Sequence, residues 1–388
     1  MPKKIRVIAI VGTRPEAIKM APVVRDLRAR ESFEVFLLST GQHQEMLRQV
    51  LGAFDLVPDH DLSIMSERQG LNEILARALP GLDRVYREVR PDVVLVQGDT
   101  STAFIAGLAA FNHQIRVGHI EAGLRSFDKR QPFPEEVNRR LLSVIADDHF
   151  APTDQAQNHL IQEGINASDI FVTGNTVIDA LLSVIRPDHR FSFAEVSTAL
   201  TENSGTPVIL VTAHRRENWG QPLVEICQAV KALSRKRLAV FIWPVHLNPV
   251  VRERVHTELA GEAGVYLTEP LDYPDLANLL SRVDLIWTDS GGIQEEAPSL
   301  GKPILVLREV TERPEGVSAG TALLVGTDRE RLVRSTIRLL TDHEYYHQIS
   351  AAKNPYGDGQ ASRRIGDFLL WRFDLSSSRP DPFTSSQV

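Results

Sequence analysis

The sequence predicts an α/β protein built from two doubly wound parallel-sheet domains, and three observations predict it. Short apolar runs alternate with longer helix-period stretches through most of the 388 residues, the pattern of βαβ units and therefore of parallel strands. The runs fall into two sets of six. Between the sets, roughly 175–206, no strand-like run occurs, and the crossover is placed there.

The first set is IRVIAIV (5–11), EVFLLS (34–39), DVVLVQ (92–97), IRVGHI (115–120), DDHFAP (147–152) and DIFVTG (169–174). The second is PVILVT (207–212), LAVFIWP (238–244), GVYLTE (264–269), DLIWTD (284–289), KPILVL (302–307) and ALLVGT (322–327). No repeat links the halves, so a common architecture is expected and nothing about duplication. The expected N-terminal domain is 1–175 and the C-terminal domain 176–358. A helical stretch near 359–374 is expected to pack back on the first domain, and the polar, Pro-containing tail 376–388 to be mobile.

Composition narrows the function. With 43% hydrophobic and 24% charged residues the chain can bury a substantial core. A formal net charge of -7 provides no global basic field for nucleic acid or an anionic membrane, so an anion must be caught locally. The single cysteine, Cys227, lies on an apolar helical face in LVEICQAVKAL and reads as a core thiol; alone it excludes an intrachain disulfide and a multi-thiolate zinc site. The opening MPKKIRVIAIVGTRPE has a basic start but no small-residue cleavage site, and it reads as a first strand. No run approaches the roughly 18 apolar residues of a spanning helix. The expectation is a soluble cytoplasmic enzyme with its site in a cleft between the domains.

Polar clusters follow the strands directly, and in open α/β sheets ligands bind at the carboxyl ends of strands. After the first run comes Gly12-Thr13-Arg14-Pro15-Glu16, with Pro15 as an early helical residue and Lys19 one turn on, so that Arg14 and Lys19 can face one anion. An ordinary strand-to-helix turn fits GTRPE equally well. Gly98-Asp99-Thr100 and Glu121-Ala122-Gly123 bring two carboxylates to one sheet edge; Asp99 also fits a helix cap, whereas Glu121 is harder to explain as surface. In Pro132-Phe133-Pro134-Glu135-Glu136 the prolines stiffen an acidic loop ahead of a helix near Val137.

In the second half His214 and His246 both follow strand ends, within AHRREN and PVHLNP. No third ligand stands at a recognised spacing, so loop histidines are preferred to a metal site. In DLIWTDSGGIQEEAPSLG a strand runs into Ser290-Gly291-Gly292 and then a helix, which is a phosphate seat: glycines admit the ligand, and the first helical N–H groups are unpaired. A plain turn is the alternative, since lone glycine motifs are weak. Glu296, one turn in, suits a ribose diol, and TERPEG (311–316) offers Arg313.

Together these segments resemble the non-hydrolysing UDP-N-acetylglucosamine 2-epimerases of bacteria. The resemblance is carried by GTRPEAIKMAP (12–22), GQHQEML (41–47), GDTSTA (98–103), GHIEAGLRS (118–126), PFPEEVNRR (132–140) and TGNTVIDAL (173–181). It continues in TAHRREN (212–218), PVHLNPVVRE (244–253), TDSGGIQEEAPSLGKP (288–303), TERPEG (311–316) and NPYGDGQAS (354–362). It implies the GT-B fold, with two Rossmann-like domains facing across a cleft. It also implies inversion at C2 of UDP-N-acetylglucosamine to give UDP-N-acetylmannosamine, through loss of UDP to a 2-acetamidoglucal and re-addition, without NAD or metal.

By that resemblance the catalytic residues are Asp99, Glu121, Glu135 and His214. Arg14, Lys19, Leu271, Leu276, Ser290, Gly291, Gly292, Glu296 and Arg313 bind the nucleotide. A second UDP-N-acetylglucosamine is an activator contacted by Gln42, Arg68, Glu136, Arg215 and His246, with Glu45 standing where some members have glutamine. A homodimer is implied too. The alternatives on the same framework are a hydrolysing 2-epimerase, which releases N-acetylmannosamine and UDP, and a GT-B glycosyltransferase, which needs an acceptor and fewer carboxylates. An epimerase for a 3-acetamido uronic acid UDP-sugar and a sensor without turnover are the others; the intact carboxylates and His214 argue against the sensor.

Overall fold

The computed structural model describes residues 4–384 except 42–43, 67–68 and 202–204, with backbone alone at 44–46. Its contacts divide the chain into two units, Met1–Ser183 with Tyr356–Val388, and Val184–Pro355.

The first unit holds strands β1 (Ile5–Val11), β2 (Phe33–Ser39), β3 (His60–Asp61), β4 (Val93–Gln97), β5 (Arg116–Ile120), β6 (Asp148–Ala151) and β7 (Ile170–Val172). They form one parallel sheet in the order β3-β2-β1-β4-β5-β6-β7. Its helices are α1 (Arg14–Arg28), α2 (Gln44–Ala53), α3 (Leu71–Val89), α4 (Ser101–Asn112), α5 (Glu135–Ile145), α6 (Asp154–Gln162) and α7 (Thr176–Val184). The six runs expected here are all strands; the seventh, β3, is two residues at the sheet edge and carries no apolar run to betray it.

The second unit holds β8 (Val208–Thr212), β9 (Val240–Pro244), β10 (Val265–Thr268), β11 (Leu285–Thr288), β12 (Ile304–Val306) and β13 (Ala322–Leu324). Their order, β10-β9-β8-β11-β12-β13, is again parallel. Its helices are α8 (Ala194–Thr201), α9 (Gln221–Arg235), α10 (Pro249–Leu259), α11 (Tyr273–Arg282), α12 (Gly291–Glu296), α13 (Pro314–Ser318), α14 (Arg329–Thr341) and α15 (His343–Ser350). Trp243 and Trp287 are fully buried on β9 and β11, in a core that also contains Cys227. No helix among the described residues is long and apolar enough to cross a membrane.

Each sheet reverses its winding once, between β1 and β4 and between β8 and β11, and crevices for ligands open at such switch points. Register sets what emerges there. Gln97 pairs with Ile120, so Gly98 and Glu121 leave the first sheet side by side. Thr288 pairs with Thr212, so Asp289 and Ala213 do the same in the second.

The chain returns to the first unit through α16 (Ala361–Arg372), which packs on α1, with Arg30 Nη1 2.7 Å from Asp367 Oδ1. Asp179 of α7 caps α16 by accepting from Ser362 N (2.7 Å) and Ala361 N (3.2 Å), which ties α7 to the first unit and carries its boundary beyond residue 175. The tail makes contacts with the first unit as far as Phe383. The Phe383 ring is buried and its N–H donates to Val172 O at 2.8 Å. Arg379 donates to Ile170 O at 2.7 Å and its guanidinium lies 5.3 Å from the Trp371 ring. Composition marks such a segment as polar, but one aromatic and one arginine supply enough contact to anchor it.

Gly123, just past Glu121, has φ +91°, and a Cβ there would stand 2.2 Å from the carbonyl oxygen of Ala156. Gly123→Ala is therefore expected to destabilise the first unit by about 2–4 kcal/mol. Gly164→Ala, at φ +89° with open space around it, is expected to cost about 1 kcal/mol. Urea unfolding of the two variants checks this, and equal midpoints would contradict it.

Candidate active site

In the first unit the donors gather on Glu121. Its backbone has φ +65°, rare for a residue with a side chain, which turns the carboxylate back over the strand ends. Lys19 Nζ of α1 and Gln97 Nε2 of β4 contact its two oxygens, and Asn175 Nδ2, beyond β7, reaches Oε1 at 3.2 Å. Sequence reasoning placed Lys19 with Arg14 at an anion; the structure gives its ammonium to Glu121. Arg14, the first residue of α1, is exposed.

Glu16, buried beneath this turn, accepts from Gly12 N (3.0 Å), Thr13 N (2.7 Å) and Thr100 Oγ1 (2.6 Å), so one carboxylate joins the loops after β1 and β4. The backbone donors are those of a capping box. Burial raises the Glu16 carboxyl above its ordinary range despite these donors.

Asp99 is not the cap of α4: Thr100 is, accepting from Ala103 N. The Asp99 carboxylate meets the Arg139 guanidinium of α5 instead, and its carbonyl accepts from Asn138 Nδ2 at 2.9 Å. Arg139 and Asn138 are neighbours of Asp99 that sequence reasoning passed over, although both lie in the PFPEEVNRR segment. Glu135 opens α5, and its Oε2 is buried with no hydrogen-bond partner among the described residues. Glu136, expected to touch an activator, faces inward: it accepts from Ser126 N (3.0 Å) and Phe127 N (3.2 Å) and lies 3.4 Å from Arg139 Nη1. Gln42 and Arg68 lie outside the described residues, as does the Glu45 side chain.

In the second unit the organising residue is Asp289, which sequence reasoning did not single out. It is fully buried at the end of β11, and its Oδ2 accepts from His214 N and Arg215 N, both at 2.8 Å, and from Asn218 Nδ2 at 2.9 Å. Its Oδ1 lies 3.0 Å from His214 Nδ1, so the other ring nitrogen is the one turned away. Burial would push the Asp289 carboxyl up, but the hydrogen bond and charge of His214, with the backbone donors, outweigh it and hold the group below the ordinary carboxylate range. The signal was there to use: an aspartate directly at a strand end, opposite a histidine at the paired strand end.

His246 stacks on His214 with ring centroids 5.5 Å apart and planes at 22°. Burial, then the neighbouring His214, lower its pKa. Ser290 caps α12, and its N–H donates to Thr288 Oγ1 at 2.9 Å. Arg313 and Arg215 converge here: a Cβ on Gly291 would stand 3.8 Å from the Arg313 guanidinium and 4.0 Å from that of Arg215. Two guanidiniums over glycine N–H groups at a helix start form an anion seat. Arg313 is oriented by Glu295. Glu296 accepts from Tyr273 Oη at 3.1 Å; burial and the Glu296 charge raise the phenol well above its usual range, so it stays a donor. Leu271 and Leu276, on either side of Tyr273, are half-buried.

Two buried histidines, His119 on β5 and His149 on β6, stand at paired positions in the first sheet. Burial lowers His119 to about 3 and His149 to about 4, against about 6.5 in an unfolded chain. Below about pH 6.5 the unfolded chain therefore binds two protons that the folded chain refuses, so stability falls as pH falls and the loss saturates near the folded values. The histidine pair is expected to contribute a slope approaching 2.7 kcal/mol per pH unit between about pH 6 and 4, opposed by Glu16, whose raised carboxyl takes up its proton in the folded chain before the unfolded one. His149→Gln should remove about half that slope in pH-dependent urea unfolding; an unchanged slope would contradict it.

With the geometry in place, comparison with known proteins is direct. A profile of the family UDP-N-acetylglucosamine 2-epimerase matches residues 25–370. The chain is 50% identical over 383 residues to the UDP-N-acetylglucosamine 2-epimerase of Bacillus subtilis strain 168, covering 98% of this chain and 99% of that one. It is 50% identical over 370 residues to the Escherichia coli K12 protein of the same name, covering 94% and 98%. The crystal structure of UDP-GlcNAc 2-epimerase from Neisseria meningitidis bound to UDP-GlcNAc has a TM-score of 0.83 and 44% identity, covering 95% of this chain and 100% of that one.

Proposed function

The chain belongs to the UDP-N-acetylglucosamine 2-epimerase family, and from that premise we propose that it inverts C2 of UDP-N-acetylglucosamine by the non-hydrolysing route. A base takes the C2 proton, the C1–O bond breaks with its electron pair leaving on the β-phosphate of UDP, and a C1=C2 double bond forms. UDP oxygen then re-attacks C1 while a proton reaches C2 from the other face, giving UDP-N-acetylmannosamine. The observation that carries this reading is the carboxylate set at the ends of β4 and β5 with Glu135 nearby in sequence on α5. Inversion needs proton-handling groups for two faces of one carbon, and Asp99, Glu121 and Glu135 differ in partners. Glu121 has an ammonium and two amides, Asp99 an arginine, and Glu135 an oxygen without a partner among the described residues.

The second unit suits the leaving group. The Ser290–Gly292 turn and Arg313 would receive the diphosphate, Glu296 the ribose, and Leu271 and Leu276 the uracil. His214, oriented by Asp289, would donate toward the departing oxygen. Neither NAD nor a metal is required. Arg215 and His246 stand beside this seat, and a second UDP-N-acetylglucosamine held by them would influence turnover.

Incubation with UDP-N-acetylglucosamine in D2O, followed by NMR at C2, tests the proposal. Deuterium at C2 in both nucleotide sugars, with no free N-acetylmannosamine, is expected. Absence of exchange, or accumulation of the free sugar with UDP, would overturn it. Asp99→Asn and Glu121→Gln should each lower exchange by on the order of 10²–10⁴-fold while leaving UDP affinity nearly intact. In a substrate titration of the same assay, a sigmoid supports the activator and a hyperbola counts against it.

We also propose a homodimer through α5. Val137, Leu141 and Val144 follow at helical spacing and all stand exposed, Val144 by 80%, and Phe111 at the end of the adjoining α4 is 58% exposed. An apolar stripe of this kind on a soluble chain favours a self-complementary interface. Sedimentation should show a dimer that Leu141→Glu with Val144→Glu converts to monomer; a dimer unaffected by both substitutions contradicts the assignment.

A further inference from the structure

We propose that His119 is a positioning residue for the C2 proton transfer: its imidazole clamps the peptide joining Gly98 to Asp99 and so fixes where Asp99 stands relative to Glu121. The inference rests on the epimerase reading of those carboxylates.

The geometry is specific. Gly98 occupies the left-handed region, φ +69°, where β4 turns toward α4. Its N–H donates to Ile120 O at 2.9 Å, and its carbonyl accepts from His119 Nε2 at 2.7 Å. Both polar groups of Gly98 are thus tied to β5, one by the backbone and one by a side chain. That carbonyl belongs to the same peptide plane as the Asp99 nitrogen, so rotation of the plane swings Asp99 away from Arg139 and Asn138. On the other side, Gln97 immediately before Gly98 contacts Glu121, two residues after His119. One imidazole therefore holds the turn that leads to Asp99 from a position two residues before Glu121.

Chemistry explains why histidine suits the position. The donor must reach across from one strand to a turn carbonyl on its neighbour, inside a fully buried site, and an unpaired charge there would be costly. A neutral imidazole gives one N–H without charge. Burial keeps the ring neutral, so the Nε2 proton stays in place throughout the pH range of enzyme turnover. His149 occupies the paired position on β6 and is neutral for the same reason, which keeps like charges from meeting under the site.

A clamp and a mere strut make different kinetic predictions. The amide nitrogen of glutamine reaches about as far as Nε2, whereas that of asparagine stops near the level of Nδ1. With H119Q, C2 exchange should stay within about threefold of wild type. With H119N and H119L, kcat should fall on the order of 10²-fold, while KM for UDP-N-acetylglucosamine and Kd for UDP stay within about twofold. H119Q as slow as H119N at equal thermal stability would overturn the proposal, as would a loss of activity that only follows the unfolded fraction. If H119L fails to fold, the H119Q and H119N pair carries the comparison. Ring 15N shifts give a readout independent of turnover: the neutral Nε2–H tautomer is expected at pH 7, and an Nδ1–H or charged ring overturns the clamp. A wild-type protein that does not exchange C2 at all would instead sink the epimerase reading.

Discussion

Glu121 presents its carboxyl group at the point where β5 ends, and separate segments are arranged to hold it there. Lys19 arrives from α1, Gln97 from β4 and Asn175 from the turn before α7, so the contact draws on the sheet from β1 across to β7. A carboxylate half-withdrawn from water needs a counter-charge and donors to remain ionised. The family of positions around it follows from that need: the left-handed backbone at Glu121, the glycine two residues on, and the histidine two residues before. The switch point between β1 and β4 supplies the remaining element, because Glu16 locks the loop after β1 to Thr100 and so sets the start of α1, from which Lys19 projects.

The second unit solves a parallel problem with the same sheet topology and different residues. Asp289 at the end of β11 gathers the loop after β8 by accepting from two successive backbone N–H groups and an asparagine, and it fixes the ring of His214 in the same stroke. Arginines 215 and 313 are then left over the glycine turn.

Strand existence and order of appearance were legible because buried parallel strands leave continuous Val, Ile and Leu runs, and twelve of these became strands. Two-residue β3 was not legible, since His60 and Asp61 carry no apolar signal and pair only through backbone at an edge. Candidate residues after strands were legible from the rule that ligands sit at carboxyl ends. Their partners were not. Lys19 looked like an anion ligand because it is one turn into a helix, but its partner is 102 residues away and depends on β1, β4 and β5 being neighbours. Arg139 and Asp289 escaped for the same reason: their importance lies in pairings across the sheet. The docked tail shows a further limit, for Phe383 is a single aromatic in a polar stretch and its pocket is made by β6, β7 and α6, with Arg364 of α16 over the ring.

The proposed reaction cleaves the anomeric C1–O bond reversibly without capture of the sugar by water. UDP-N-acetylglucosamine carrying 18O in the bridge between C1 and the β-phosphorus, followed by 31P NMR, tests it most directly. Scrambling of the label from the bridge into the non-bridging β-phosphate positions of recovered nucleotide sugar is the result this account predicts. Label retained in the bridge while C2 epimerises would contradict it.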